Sequence, residues 1–274
     1  MKMKLKQIFL EILLLLLSIV YFQCMANADT EVGREITTNT TWTLAGSPYI
    51  VTQNIIVNAG VTLTIEPGVI VKLNPKLGMI IEGKLIARGT KDNMITFTSN
   101  SSSLWGIIQL NQSSPVATFD ATGNYLDGSI LEYCIGEYSS KGPFWGYDTS
   151  PFINYCVVRN CTQGLIRIDN GNYPTTGYKH PELKITRITN NSVDTGDSAG
   201  GIYMVGDNSY CGYNTVKGSF CSIGGVGNKL TITYNKMEGG AGITFSGFFN
   251  SPDSNSVKAA DIDITYNTIT NAIG

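Results

Sequence analysis

The segments ITYNKM (residues 232–237) and ITYNTI (residues 264–269) share one frame: an apolar residue, Asn three places later, and a second apolar residue two places after that. Four earlier segments fit the same frame in whole or in part. The residues at the Asn position are Cys134, Cys156, Asn191, Asn214, Asn235 and Asn267. Their spacings are 22, 35, 23, 21 and 32, so the sequence predicts a repeat of about 22 residues with two inserted loops.

A unit of this length is too short for a propeller blade, and it contains two or three strand-like runs without a helical period. The sequence therefore predicts an all-β fold, a single-stranded parallel β-helix whose turns stack about 4.8 Å apart. Asn at the bend can hydrogen-bond to the Asn of the next turn, whereas Cys134 and Cys156 are expected to hold their bends by packing. A trailing apolar row is predicted at the same spacing, formed by Leu165, Ile202, Ile223 and Ile243.

The amino-terminal half contains short apolar strands separated by turns rich in Gly, Pro and Asn. Residues 60–73 (GVTLTIEPGVIVKL), 78–99 (GMIIEGKLIARGTKDNMITFTS) and 105–110 (WGIIQL) resemble the opening coils of extracellular right-handed parallel β-helix proteins of the pectin-lyase-like superfamily. The later units resemble the short parallel β-helix repeats of these proteins, so the resemblance covers residues 41–274. It implies a right-handed coil but not one chemistry, because this scaffold carries lyases, hydrolases, adhesins and surface proteins.

The first 28 residues have the pattern of a signal peptide: a basic start, an apolar run over residues 8–22, and Ala26-Asn27-Ala28 before a predicted cleavage at Asp29. No second apolar run follows, so no membrane span is expected after cleavage. We therefore expect a secreted or cell-surface protein with a lead-in cap at residues 29–50 and the coil at residues 51–274. The carboxyl end of the coil is expected to be incomplete, as in a piece of a longer surface protein.

Charge and cysteine content limit the partners. Without residues 1–28 the chain has 16 basic and 20 acidic residues, a net charge of −4 with no basic cluster, so a nucleic-acid partner is not expected. The five remaining cysteines are expected to be buried packing groups, with one candidate disulfide among them. Neither their spacing nor the single His180 indicates a metal site, and no cofactor is predicted.

A polysaccharide-cleaving enzyme needs charged catalytic groups on neighbouring turns of one face. The candidates are Asp194, Asp197, Arg187 and Asp263. The first two are also typical of a solvated turn. Arg187 and Asp263 belong to a predicted outer row, in which they are three turns, or about 14 Å, apart. The row consists of Ile130, Phe152, Arg187, Tyr210, Thr231 and Asp263. The usual polygalacturonase motifs are absent from the sequence, and Ca²⁺ would enter only with a lyase mechanism.

Aromatic residues supply the candidates for binding. Segments 139–150, 169–182 and 246–258 are predicted to be loops that emerge on the same side of the coil. Their candidate sugar-stacking residues are Trp145, Tyr147, Tyr173, Tyr178, Phe248 and Phe249. The competing interpretation, which is typical of loop aromatics over small cores, is that these rings fold back as lids over the coil.

The sequence favours an exported, non-catalytic module with a structural or carbohydrate-interacting role, whose partner is a polysaccharide or a cell-surface glycan. One alternative is a polysaccharide lyase or glycoside hydrolase that uses the outer strand face. Another is a mechanical spacer within a larger surface protein.

Overall fold

The computed structural model describes residues 11–12, 29–169, 185–205, 209–226, 229–240, 242–245 and 261–271. Within these residues the chain forms short strands and one 3₁₀ turn, Leu44–Gly46. The first fourteen strands are β1 (Thr30–Ile36), β2 (Thr40–Trp42), β3 (Tyr49–Val57), β4 (Thr62–Ile65), β5 (Ile70–Leu73), β6 (Met79–Ile81), β7 (Lys84–Arg88), β8 (Ile95–Ser99), β9 (Ile108–Leu110), β10 (Thr118–Phe119), β11 (Tyr125–Asp127), β12 (Ile130–Glu132), β13 (Cys134–Glu137) and β14 (Phe144–Tyr147). The others are β15 (Phe152–Asn154), β16 (Val157–Arg159), β17 (Leu165–Asp169), β18 (Arg187–Thr189), β19 (Ser192–Asp194), β20 (Ala199–Val205), β21 (Ser209–Gly212), β22 (Thr215–Lys217), β23 (Phe220–Val226), β24 (Lys229–Thr233), β25 (Lys236–Glu238), β26 (Gly242–Phe245), β27 (Asp261–Thr265) and β28 (Thr268–Thr270).

The strands wind into a parallel β-helix with three faces. The first face contains β2, β4, β7, β12, β15, β18, β21, β24 and β27. The second contains β5, β8, β13, β16, β19, β22, β25 and β28. The third contains β6, β9, β14, β17, β20, β23 and β26. Strand β3 joins the second and third faces, because its residues 49–51 pair with β5 and its residues 55–57 pair with β6.

The predicted fold class and repeat are confirmed. One row of the first face places Leu131, Ile153, Ile188, Cys211, Ile232 and Ile264 in register. Their intervals equal the predicted series, and the two long intervals coincide with insertions between turns. The neighbouring outer row, from Ile130 to Asp263, is also in the predicted register.

Alternation along each strand explains why these sequences form a coil. In β4, Leu63 and Ile65 are buried while Thr62 and Thr64 are half-buried on the outer side. β-Branched and apolar residues at a period of two suit a strand that is covered on one face. Stacking the turns gathers the inner rows into a single apolar core that runs through the coil. A lone turn could not bury its own apolar residues, so the stack is the stable unit.

Two details of the sequence prediction are wrong. In the trailing row, Ile202 pairs with Ile166, while Leu165 pairs with Gly201. Ile166 is buried and Leu165 is only half-buried, so the inner residue is one place later than predicted. Segment 139–150 is not simply a loop, because β14 occupies its centre and pairs on the third face with β9 and β17.

An antiparallel hairpin, β10 and β11, is inserted between the third and fourth complete turns and was not predicted. It covers the first face, where Phe119 meets Phe152 edge to face at 5.2 Å and Tyr125 stacks on the same ring. The outer residues Ile130 and Phe152 are therefore buried beneath it. Among the described residues, no helix is both long and apolar enough to cross a membrane. The predicted signal peptide falls almost wholly outside these residues and stays a prediction.

Candidate functional site

A ladder of asparagines holds the bend between the first and second faces. Each Nδ2 donates to the Oδ1 of the next Asn, at 3.0 Å from Asn191 to Asn214, 2.9 Å from Asn214 to Asn235 and 3.0 Å from Asn235 to Asn267. The backbone N–H of each also donates to that Oδ1, at 2.9 Å in every step. The predicted amide ladder is present, and its role is to satisfy buried backbone groups at the bend.

Two cysteines continue this row towards the amino terminus. Each thiol lies near the carbonyl that an Asn amide reaches elsewhere in the row: Cys156 Sγ is 3.4 Å from Leu131 O, and Cys134 Sγ is 3.4 Å from Ala87 O. The N–H of Cys156 donates to Asn191 Oδ1 at 2.8 Å. Both residues are fully buried, and burial raises the pKa of Cys134 well above its ordinary value. The thiols thus pack at these bends, as predicted. They also take over part of the hydrogen bonding that the Asn amide provides in the other turns, which was not predicted.

Replacing Cys156 with Asn is expected to extend the ladder by one turn and raise the free energy of unfolding by about 1 kcal/mol. Its amide would reach Leu131 O and Asn191 Oδ1, and its oxygen would accept the N–H of Cys134. Urea unfolding measures the change, with Cys156→Ala as the matched control. The control should be less stable than wild type, because it loses buried volume without gaining a hydrogen bond. A Cys156→Asn variant as unstable as the alanine control would contradict this account of the bend.

A second row, of tyrosines, lies directly before the ladder residues. The residues of this row are Tyr133, Tyr155, Asn190, Tyr213, Tyr234 and Tyr266, and all six have left-handed backbone geometry with φ between 50° and 58°. Neighbouring rings stack almost in parallel, with centroids 4.7–5.0 Å apart. Most of these rings are exposed, from 42% for Tyr155 to 73% for Tyr266. The signal for this row is Tyr immediately before the ladder residue in five of six units, which the sequence analysis did not use.

The outer side of the third face carries an aromatic and cationic cluster. In-register pairing puts Trp145, Arg167 and Tyr203 on three consecutive turns. The Arg167 guanidinium carbon lies 5.3 Å from the centroid of the Trp145 ring and 5.3 Å from that of Tyr203. Lys141 Nζ lies 5.8 Å from the Trp145 centroid. We call these four residues the third-face cluster; its geometry is that of cation–π contacts between charged groups and aromatic faces.

Two of the predicted sugar-stacking residues are therefore on the outside of the coil. Trp145 is half-buried, and its Nε1 is buried without a hydrogen-bond acceptor among the described residues. Tyr147, on the same strand, is 39% exposed. Neither ring folds inward as a lid over the core; their neighbour Phe144 does point inward and is fully buried. The candidates Tyr173, Tyr178, Phe248 and Phe249 lie outside the described residues.

Arg187 lies on the first face beside the hairpin. Its guanidinium carbon is 4.7 Å from the Phe119 centroid and 5.8 Å from the Tyr210 centroid. Its buried Nε meets no hydrogen-bond partner within the described part of the chain. Asp263 is exposed three register steps further along the same row. The two candidates thus share a face but not a turn.

Asp194 and Asp197 lie elsewhere: Asp194 ends β19 on the second face, and Asp197 lies in the bend after it. Asp194 Oδ2 is 2.8 Å from Lys217 Nζ, and Asp197 Oδ1 accepts a hydrogen bond from Ser219 at 2.9 Å. Burial raises the pKa of Asp194, but the hydrogen bond and charge of Lys217 outweigh it and hold the pKa below its ordinary value. Both carboxylates bond to side chains of the next turn of the coil, Lys217 and Ser219, so they link two turns. Among the described residues, no three His, Cys, Asp or Glu side chains cluster as metal ligands would.

All five cysteines of the coil are buried free thiols, as predicted, without the candidate disulfide. Burial raises the pKa of Cys211 to about 12 and that of Cys161 to about 11. A thiol reacts through its thiolate, so Cys211 and Cys161 are structural and unreactive at neutral pH.

No family model matches the chain, and no solved structure matches it. A segment of 58 residues is 38% identical to the protein bark beetle of Drosophila melanogaster. The match covers 21% of this chain and 2% of that protein, so the chain spans only a small part of this relative. It therefore assigns neither a family nor an activity.

Proposed function

We propose that this chain is an exported, non-catalytic β-helix module that binds carbohydrate through the outer side of its third face, at the cell surface or in the extracellular space. The observation that carries the proposal is the third-face cluster, in which Trp145 lies beside two cationic side chains. The resemblance of residues 41–274 to extracellular pectin-lyase-like proteins supports the same setting.

The chemistry of the cluster suits a sugar polymer. An indole ring held on a rigid strand offers an apolar surface for the C–H face of a pyranose. Cations beside such a ring favour glycans that carry carboxylate or sulfate groups. In-register strands repeat this outer row along the coil axis, so an extended chain can contact several turns at once.

The positions of the charged candidates support a module that does not cleave its ligand. Asp194 ends β19 on the second face and Asp197 lies in the bend after it, whereas Arg187 and Asp263 lie on the first face. Glycoside hydrolysis requires two carboxyl groups within about 10 Å on opposite sides of one bond. Of these four residues only Asp194 and Asp197 are close in sequence, and both already bond to side chains of the next turn, Lys217 and Ser219.

Trp145→Ala is expected to weaken binding to acidic polysaccharides at least about tenfold, because aromatic anchors dominate such interfaces. The measurement is affinity on an array of acidic and neutral polysaccharides. Phe220→Ala is the matched control, since Phe220 is 60% exposed and lies near the start of its strand, away from the row that contains Tyr203. Binding that Trp145→Ala leaves unchanged, or that both variants reduce equally, would overturn the proposed site.

A further inference from the structure

Among the described residues, the stacked tyrosine row has one interruption. Tyr155 stacks on Tyr133 and Tyr213 stacks on Tyr234, but Asn190 occupies the row position between them. The strands on either side are in continuous register, because Asn154 pairs with Thr189 and Thr189 pairs with Gly212. The facing rings are therefore two strand spacings apart, on the order of 10 Å.

The side chain of Asn190 is held at the base of this gap. Its Nδ2 donates to Asn154 Oδ1 at 3.0 Å, and the hydroxyl of Thr189 donates to the same oxygen at 2.8 Å. Asn154 in turn donates to Glu132 Oε1 at 2.9 Å. These contacts tie the Asn190 amide to the first face, while the rings of Tyr155 and Tyr213 are 42% and 54% exposed.

We infer that Tyr155, Asn190 and Tyr213 form a slot that takes one pyranose ring of a glycan. The centroids of neighbouring rings in the row are 4.7–5.0 Å apart. A single six-membered ring inserted midway between Tyr155 and Tyr213 would therefore lie about one such spacing from each of them. Aromatic walls match the C–H faces of a sugar, and an amide at the base supplies a donor and an acceptor for its hydroxyls.

The slot is separate from the third-face cluster, since it lies at the bend between the first and second faces. It shares with the proposed function only the class of ligand. Its two walls are rigid, because each is stacked on a further tyrosine outside the slot. Preorganised aromatic walls lose little conformational entropy when a ring enters, which favours binding of even a single sugar unit.

Asn190→Tyr is the sharpest test, because it fills the slot with a ring from the chain itself. Tyr already adopts this backbone geometry at five equivalent positions, so the variant is expected to fold. The probe is methyl β-D-galactopyranoside, with methyl β-D-glucopyranoside alongside, and binding is read by saturation-transfer NMR. We expect Asn190→Tyr to abolish saturation transfer, and Tyr155→Leu or Tyr213→Leu to weaken binding about tenfold.

Controls separate this inference from the proposed function. Tyr266→Leu removes an exposed ring of the same row outside the slot and should leave glycoside binding unchanged. In a Trp145→Ala background, in which polysaccharide binding is weakened, Asn190→Tyr should still remove the saturation transfer that remains. Saturation transfer that persists in Asn190→Tyr would overturn the slot, as would binding of phenol without binding of either glycoside. Loss of glycoside binding in Trp145→Ala alone would place the sugar on the third face instead.

Discussion

Replacing Asn214 with alanine is expected to lower the free energy of unfolding by about 3–5 kcal/mol. Asn214 is 1% exposed and lies in the middle of the ladder. Its Nδ2 donates to Ile188 O at 3.0 Å and to Asn235 Oδ1 at 2.9 Å, and its Oδ1 accepts two hydrogen bonds from Asn191. Alanine would leave the N–H of Asn191 and the carbonyl of Ile188 buried without these partners, and each such group costs about 1–3 kcal/mol.

Urea unfolding, followed by circular dichroism, measures this loss. Asn58→Ala is the matched control, because Asn58 donates to Glu35 at the surface, at 3.3 Å. The control should lie within about 0.5 kcal/mol of wild type. Equal stability of the two variants would mean that the ladder does not hold the turns together.

Replacing Gly201 with alanine is expected to cost about 4 kcal/mol or more, because it combines a forbidden backbone angle with a steric clash. Gly201 has φ of 125°, and a Cβ there would overlap the carbonyl oxygen of Ser222 in the next turn. The N–H of Gly201 donates to Gly164 O at 2.7 Å, so its backbone cannot move without loss of a buried bond. The turns from β20 onward are expected to separate from the coil.

Gly196→Ala is a close control for this variant. Gly196 also has a positive φ, 56°, but a Cβ there would meet no atom within 4 Å. Its cost is limited to the left-handed backbone, about 1–2 kcal/mol. Limited proteolysis measures how readily the carboxyl-terminal turns of each variant are cleaved. We expect early cleavage of these turns only in Gly201→Ala. Similar cleavage of the two variants would contradict the close approach of these turns.

The coil could be predicted from the sequence because its turns place similar residue types at equivalent positions. An Asn or Cys at the bend and an apolar residue three places before it recur in six successive turns, so both features reveal the register. The trailing row was misplaced by one residue for a related reason. Gly164 aligns with Gly200, and a second glycine, Gly201, then stands opposite Leu165. Two adjacent glycines leave the alignment ambiguous until strand pairing is known.

Structural features that occur only once in the chain could not be predicted from the sequence repeat. The hairpin of β10 and β11 interrupts the period, and its contact with Phe152 joins segments that no repeat relates. The outward direction of Trp145 depends on β14 being a strand within a segment whose turn signals indicate a loop. The slot at Asn190 requires both the tyrosine row and the register across a 35-residue interval, so one sequence unit alone does not reveal it.

The central claim is that the chain binds an acidic glycan and does not cleave it. The most direct test incubates the purified chain with acidic polysaccharides and measures bound protein, reducing ends and unsaturated ends in the same samples. We expect saturable binding that Trp145→Ala weakens, with no increase in either kind of chain end. Release of new ends by the wild-type chain, lost on replacement of Asp194, Asp197, Arg187 or Asp263, would contradict the claim and identify an enzyme.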